Sequence, residues 1–312
     1  MEDYKNVITD YSRSCLLNVK EDFLTPKRMP RYFYQYSALA SFKGIIESNN
    51  IWATHWAYLN DAKELKKGLE IAHIVISEMN KMKKFKTNLE LFSILEEFIN
   101  HFAYRETIDP IDAYVLCFSE ENDKLNLWRG YGNGYNSIVT GYNTAKLKIN
   151  EKIAGHPFMG KIVYAEDRQK RMMTRYISKF YENMAKIYKR FPKQESEMRN
   201  LIAGHFAAGI LFLSLFMKDK YWSEEKEWRI IYLFPSNDYI DFKVTDKGYI
   251  PFIKAPIFKE HALKCINGVR LPKSPDFALR EKALRMLWKK ACNENKIKRN
   301  LKVEQSSISI VY

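Results

Sequence analysis

Residues 112–119 read DAYVLCFS, a continuous apolar run that ends in the polar turn EENDK. A run of this kind predicts a strand that is buried on both faces. Strand and helix patterns alternate irregularly on either side of it. Strands are predicted at 30–36, 51–54, 135–143, 160–165, 226–234, 239–243, 249–253 and 264–269, and helices at 37–50, 61–81, 87–105, 166–190, 194–218 and 276–293. Because no regular βαβ repeat appears, the order predicts an α+β fold.

The sequence contains no signal of a domain boundary. No Pro-rich or Ser-rich linker, fixed repeat or abrupt change of composition divides the 312 residues. We therefore expect a single α+β domain over residues 1–312, with its core at 30–164 and 221–312. Two large helical insertions, 60–105 and 166–218, are predicted to interrupt that core.

The charge balance points to an anionic partner. The chain has 51 lysine and arginine residues against 37 aspartate and glutamate residues, which gives a formal net charge of +14. Such a surplus favours contact with RNA, DNA or a nucleotide. Basic stretches lie at 81–86, 167–179, 186–190 and 280–291. Stretches like these are usually solvated faces, but several of one sign keep nucleic-acid binding open.

The cysteines, the N-terminal residues and one apolar segment indicate the cellular compartment. Cys15, Cys117, Cys265 and Cys292 lie far apart and without metal-ligand spacing, which predicts reduced thiols. The acidic, polar N-terminus lacks the basic patch and apolar run of a signal peptide, so we expect a cytoplasmic protein. The apolar segment 201–217 is shorter than the ~20 residues of a spanning helix. It predicts a buried core helix and no contact with a membrane.

The run YWSEEKEWRII at 221–231 places acids and an arginine at every second position. In a continuous strand Glu225, Glu227 and Arg229 share one face, and Trp228 points the other way, toward the core. If the same-face pair of Glu227 and Arg229 is exposed, it contributes well under ~1 kcal/mol to stability and belongs to an ordinary charged surface. The row is a candidate site only if it faces a pocket.

Three further stretches hold polar or aromatic residues at strand ends: YQYS at 34–37, YLNDAKEL at 58–65 and CFSEENDKLNLWRGYG at 117–132. In this order, and followed by EEKEWR at 224–229, they resemble the bacterial and phage family of proteins of unknown function DUF2971. The resemblance covers roughly residues 32–311. The residues that carry it are Tyr34, Tyr36, Asn60, Asp61, Cys117 to Ser119, Trp128, Tyr131, Gly141, Glu225, Glu227, Trp228 and Arg229. The chain departs from the family pattern after Asp61, where Ala-Lys-Glu-Leu replaces Pro-Phe-Glu.

This layout is similar to that of ADP-ribosyltransferases, which bind NAD in a bent, split mixed or antiparallel sheet. The resemblance implies that Glu227 is the catalytic carboxylate, which stabilises an oxocarbenium-like transition state. It implies that Glu225 orients or deprotonates the acceptor. Arg229 would bind a phosphate or hold Glu227 in place. NAD would be a substrate, and no metal is expected. The residues implied to bind NAD are Tyr36, Ser119, Tyr131, Arg229, Asn60 and Asp61.

Three functions stay open at this point. The first is an ADP-ribosyltransferase-like enzyme, a toxin or phage-defence effector that modifies a nucleic acid or a protein; a toxin would also have a neutralising partner protein. The second is a non-enzymatic nucleic-acid-binding protein, which the basic stretches favour. The third is a nuclease toxin, for which one acidic pair without a metal-ligand set is a weak basis.

Overall fold

The computed structural model describes residues 3–59, 64–82, 93, 95–97, 111–132, 134–148, 157–245 and 248–309. The helices in these ranges are α1 (Tyr4–Val19), α2 (Leu39–Ser48), α3 (Glu64–Asn80), α4 (Leu125–Tyr131), α5 (Glu166–Arg190), α6 (Glu195–Ser214), α7 (Ala262–Cys265) and α8 (Phe277–Glu294). The strands are β1 (Tyr32–Ala38), β2 (Ile51–His55), β3 (Ala113–Ser119), β4 (Ser137–Asn143), β5 (Phe158–Lys161), β6 (Glu227–Leu233), β7 (Ile240–Thr245), β8 (Gly248–Ala255), β9 (Ile266–Leu271) and β10 (Val303–Gln305).

The chain groups into two compact units. Unit one consists of Met1–Pro26, Asp61–Ile111 and Gly160–Ser223, and unit two of Lys27–Asn60, Asp112–Met159 and Glu224–Tyr312. The two predicted helical insertions fall almost wholly within unit one. Most of the helix predicted over 87–105 lies outside the described residues.

Unit one contains the long helices α1, α3, α5 and α6. The buried side chains of α5 recur every three or four positions, as expected of an amphipathic helix. In α6 the side chains of Ile202, Phe206 and Ile210 are spaced four apart and fully buried. The segment predicted as a core helix therefore is one. None of the helices described above combines the length and the apolar character that crossing a membrane requires.

Unit two contains a mixed sheet in which the strands follow the order β10-β9-β4-β1-β3-β2-β8-β7. The β10–β9 pair is parallel, whereas the β1–β4, β4–β9, β2–β8 and β7–β8 pairs are antiparallel. Helices interleave with these strands along the chain. The α+β prediction is therefore confirmed.

The sheet splits at its central strand, β3. On one edge β6 pairs with all of β3, from Ala113 to Ser119. On the other edge β2 pairs with Tyr114 and Val115, and β1 pairs with Ser119. Two different strands thus share that edge, and among the described residues the ladder is interrupted between them.

The two faces of β3 and β6 differ in character. On one face Phe118 and Trp228 pack against Phe33 of β1, with ring centroids 5.2 and 5.1 Å from that ring. This face belongs to the main hydrophobic core of unit two, so the core position predicted for Trp228 is confirmed. The opposite face carries polar side chains, including Ser119 and Glu227, and it faces the split.

Candidate active site

A cavity of about 140 Å³ lies at the split in the sheet, and we call it the carboxylate pocket. It is lined by Tyr34, Gln35, Tyr36, Trp52, Thr54, Leu59, Val115, Leu116, Cys117, Phe118, Ser119, Leu127, Tyr131, Glu225 and Glu227. Five of the predicted site residues thus converge on one pocket, namely Tyr36, Ser119, Tyr131, Glu225 and Glu227. Within the described part of its lining, the charged side chains are the two glutamates.

Glu227 is fixed by Arg229, two residues further along β6. The Arg229 Nε donates to Glu227 Oε1 at 2.7 Å, and Nη2 donates to Oε2 at 3.1 Å. Glu227 is 4% exposed and Arg229 is 1% exposed. A bidentate pair of this kind holds the carboxylate plane in one orientation. Of the two roles considered for Arg229, these contacts support holding Glu227, and Arg229 is not part of the pocket lining.

The structure corrects the expectation that strand alternation places Glu225 on the same face as Glu227 and Arg229. β6 begins at Glu227, whereas Glu225 ends the short 3-10 helix Lys220–Glu225. Lys226, between them, has φ 44°, in the left-handed region, and therefore turns the chain. Strand alternation consequently does not orient Glu225. Glu225 and Glu227 share a pocket because of this turn and not because of their spacing.

Glu225 is held by two hydroxyl groups. Ser119 Oγ donates to the backbone carbonyl of Glu225 at 2.6 Å and accepts from the backbone N–H of Glu121 at 2.9 Å. Tyr131 donates its hydroxyl to the Glu225 carboxylate, 3.1 Å from Oε1 and 3.2 Å from Oε2. Lys226 forms an ion pair with Glu121 beside this turn. Ser119 therefore positions the backbone of Glu225, whereas Tyr131 forms its hydrogen bonds with the Glu225 carboxylate.

Aromatic rings form one wall of the carboxylate pocket. Tyr36 meets Trp128 edge to face, with ring centroids 5.3 Å apart. Its hydroxyl accepts from the backbone N–H of Lys124 at 3.0 Å and donates to the Glu121 carbonyl at 3.2 Å. Burial raises the pKa of Tyr36, so the phenol stays neutral. The hydroxyl thus anchors the loop after β3, and the ring lines the pocket.

Sequence reasoning missed the contribution of β2. Its residues alternate between buried and half-buried, with Trp52 and Thr54 on the half-buried face that lines the pocket. The run IWAT predicts a strand, and its alternation was the signal that could have identified this face. Asn60 and Asp61, the other candidate residues near β2, lie outside the described residues.

The arrangement suits a flat, cationic ligand group. With Glu225, Glu227 and Arg229 ionised, the three side chains carry a net charge of −1. Aromatic faces attract cations, and carboxylates complement them. The cavity volume is close to that of the ~150 Å³ cavities that hold one benzene ring. A single charged, six-membered ring therefore matches the pocket in size and sign.

The fold and site define an α+β protein with a split mixed sheet and a carboxylate-bearing pocket at the split. The family model described as Protein of unknown function (DUF2971) matches residues 127–230 of this chain. That segment contains Trp128, Tyr131 and the run from Glu225 to Arg229. The match confirms the resemblance to this family, over about one third of the chain. No curated protein and no solved structure matches the chain.

Proposed function

We propose that the protein is an ADP-ribosyltransferase-like enzyme that uses NAD as a substrate and breaks the bond between nicotinamide and ribose. The carboxylate pocket is the observation that carries this proposal. The nicotinamide ring of NAD is flat, six-membered and positively charged, which supports the proposal because such a ring matches the pocket in size and sign. The ribose to which it is attached gains positive charge when the bond breaks, and buried carboxylates stabilise that charge.

The proposed step assigns a separate role to each acid. When the bond from C1′ to the nicotinamide nitrogen breaks, the bonding electron pair leaves with nicotinamide. Glu227, fixed by Arg229, stabilises the developing charge at C1′ without having to reorient. Glu225, held by Tyr131, takes the proton of the acceptor hydroxyl or amine as that group bonds to C1′.

The acceptor is proposed to be an anionic macromolecule, RNA or DNA, because the formal net charge is +14. The long basic helix α5 gives little support to the alternative, a protein that only binds nucleic acid. Lys170 and Arg171 of that helix form exposed ion pairs with Glu166 and Asp167, one turn earlier. Those pairs offset part of the positive charge that a nucleic acid would contact.

The test is release of nicotinamide from NAD by the purified protein, alone and with RNA, DNA or protein extract. Wild type should release it, and Glu227→Gln should reduce the rate about 100-fold or more, the scale of a lost electrostatic stabiliser. Glu260→Gln is the matched control, because that carboxylate is exposed in unit two and outside the pocket lining. It should leave the rate unchanged.

Two further variants keep the result interpretable if Glu227→Gln fails to fold. Glu225→Gln and Tyr131→Phe both leave the Glu227–Arg229 pair in place, and both should slow transfer to the acceptor. Absence of nicotinamide release by wild type under every condition would refute the proposal. If RNA still binds to wild type and to Glu227→Gln in that case, the protein is a nucleic-acid-binding protein.

A further inference from the structure

A second cavity adjoins the carboxylate pocket. Its volume is about 300 Å³, and we call it the lysine pocket. It is lined by Gln35, Tyr36, Ser37, Ala38, Ser41, Ile45, Trp52, Thr54, Tyr58, Leu59, Gly130, Tyr131, Gly132, Lys243 and Ile250. The two cavities share Gln35, Tyr36, Trp52, Thr54, Leu59 and Tyr131. They are therefore neighbouring parts of one cleft that runs along β1 and β2.

The two ends of this cleft carry opposite charges. Within the described lining of the lysine pocket, Lys243 is the charged side chain. The described lining of the carboxylate pocket has two acids and no lysine or arginine. A ligand that is cationic at one end and anionic a short distance away would complement both ends.

Lys243 lies in β7, where its side chain is partly buried. Its Nζ donates to Thr54 Oγ1 at 3.2 Å. An ammonium group has three N–H donors, so one hydroxyl satisfies only part of its capacity. Burial also lowers the pKa of Lys243, because removal of water disfavours the charged form. A bound anion would compensate for that loss.

Ser37 and Trp52 also line the lysine pocket, and Ser37 Oγ and Trp52 Nε1 have no hydrogen-bond partner among the described residues. Buried polar atoms without a partner cost free energy. Both atoms are closed to solvent, so an acceptor oxygen of a ligand would reach them only after their side chains rotate. Lys243 is therefore the residue that favours an anion in this pocket.

We propose that the lysine pocket is an anion subsite in which Lys243 binds the pyrophosphate of the dinucleotide whose cationic ring enters the carboxylate pocket. This inference rests on the proposed function and extends it to a residue outside the family motifs. NAD combines the required charges, since its nicotinamide ring is cationic and its pyrophosphate is anionic. Lys243 would thereby select a dinucleotide over free nicotinamide.

The test measures, by calorimetry, binding of NAD, ADP-ribose and 1-methylnicotinamide to wild type and Lys243→Met. ADP-ribose contains the pyrophosphate and lacks the cationic ring, whereas 1-methylnicotinamide is a cationic ring without a phosphate. Loss of a charged hydrogen bond should weaken ADP-ribose and NAD about tenfold or more and leave 1-methylnicotinamide unchanged. Lys243→Arg, which keeps the charge, should retain most of the affinity.

Lys254→Met is the matched control. Lys254 lies in the neighbouring strand β8, where it is 46% exposed and paired with Asp241 outside the lysine pocket. The Lys254→Met variant should bind all three ligands as tightly as wild type does. Thermal unfolding of each variant checks that the fold is intact.

The outcomes separate this inference from the proposed function. If wild type releases nicotinamide but Lys243→Met binds ADP-ribose normally, the subsite is refuted and the enzyme stands. If wild type binds ADP-ribose through Lys243 but releases no nicotinamide, the subsite stands and the enzyme is refuted. Equal weakening of all three ligands, no binding of ADP-ribose by wild type, or a loss confined to RNA binding would each overturn the subsite.

Discussion

Replacement of Arg229 by methionine should destabilise unit two far more than the loss of an ordinary ion pair. The change removes the cation of a bidentate pair in which both partners are almost fully buried. Methionine fills much of the arginine volume, so the main effect is electrostatic. Glu227, at 4% exposure, then loses the two N–H donors of Arg229.

The magnitude follows from that burial. Breaking a buried pair by removing one partner costs about 3–5 kcal/mol, because Glu227 stays buried without the two N–H donors of Arg229. Removal of both partners in Glu227→Leu with Arg229→Met should cost clearly less, since the Glu227 carboxylate is then removed together with its arginine. Lys43→Met is the exposed control, because Lys43 is 57% exposed in its pair with Glu47. It should cost under ~1 kcal/mol.

Urea unfolding, monitored by tryptophan fluorescence, measures the differences in the free energy of unfolding of unit two. Trp52, Trp56, Trp128, Trp228 and Trp288 lie in unit two, and only Trp222 of the six tryptophans lies in unit one. The reasoning fails if Arg229→Met costs no more than Lys43→Met. It also fails if the double variant is as unstable as Arg229→Met alone, because the Glu227 carboxylate left without its arginine would then not be the cause.

Two further predictions concern unit one. On α6 an added Cβ at Gly209 would collide with the buried Tyr176 hydroxyl, whereas Gly204 has open space around it. Urea unfolding should therefore show Gly209→Ala destabilised by about 1–3 kcal/mol and Gly204→Ala stabilised by up to ~1 kcal/mol; equal effects would contradict the packing argument. Burial lowers the pKa of His205 from 6.5. As the pH drops, the unfolded chain binds this proton before the folded protein does, so the free energy of unfolding decreases as the pH decreases. Thermal melts from about pH 7 to pH 5 should therefore show a weaker pH dependence for His205→Gln than for wild type. An identical dependence would exclude His205 as its source.

Local patterns predicted much of the fold because the elements they describe have a strong period. The helix predicted over 166–190 is α5, Glu166–Arg190, whose apolar stripe is long and regular. The run DAYVLCFS forms β3 with nearly every residue buried. The helix α1 was missed, because its buried stripe of Val7, Ile8, Cys15 and Val19 is interrupted by the polar Ser12 and depends on tertiary packing.

The candidate site was predicted less completely because it depends on non-local pairing. Two strands that are distant in sequence from β3 share one of its edges, and no local period encodes that. The turn at Lys226 was hidden because lysine, unlike glycine or asparagine, gives no signal for a left-handed backbone. Lys243 was overlooked because a lone lysine in a short strand looks like a solvated surface residue.

The interrupted ladder on β3 also has a mechanical consequence. On that edge β1 is attached through one paired position and β2 through two, whereas the opposite edge is paired along its whole length. A seam with so few rungs offers little resistance to shear, since local stability follows the number of cooperating hydrogen bonds. Separation of β1 or β2 from β3 at the cleft would therefore break few ladder hydrogen bonds, whereas β3 and β6 are paired along their whole length.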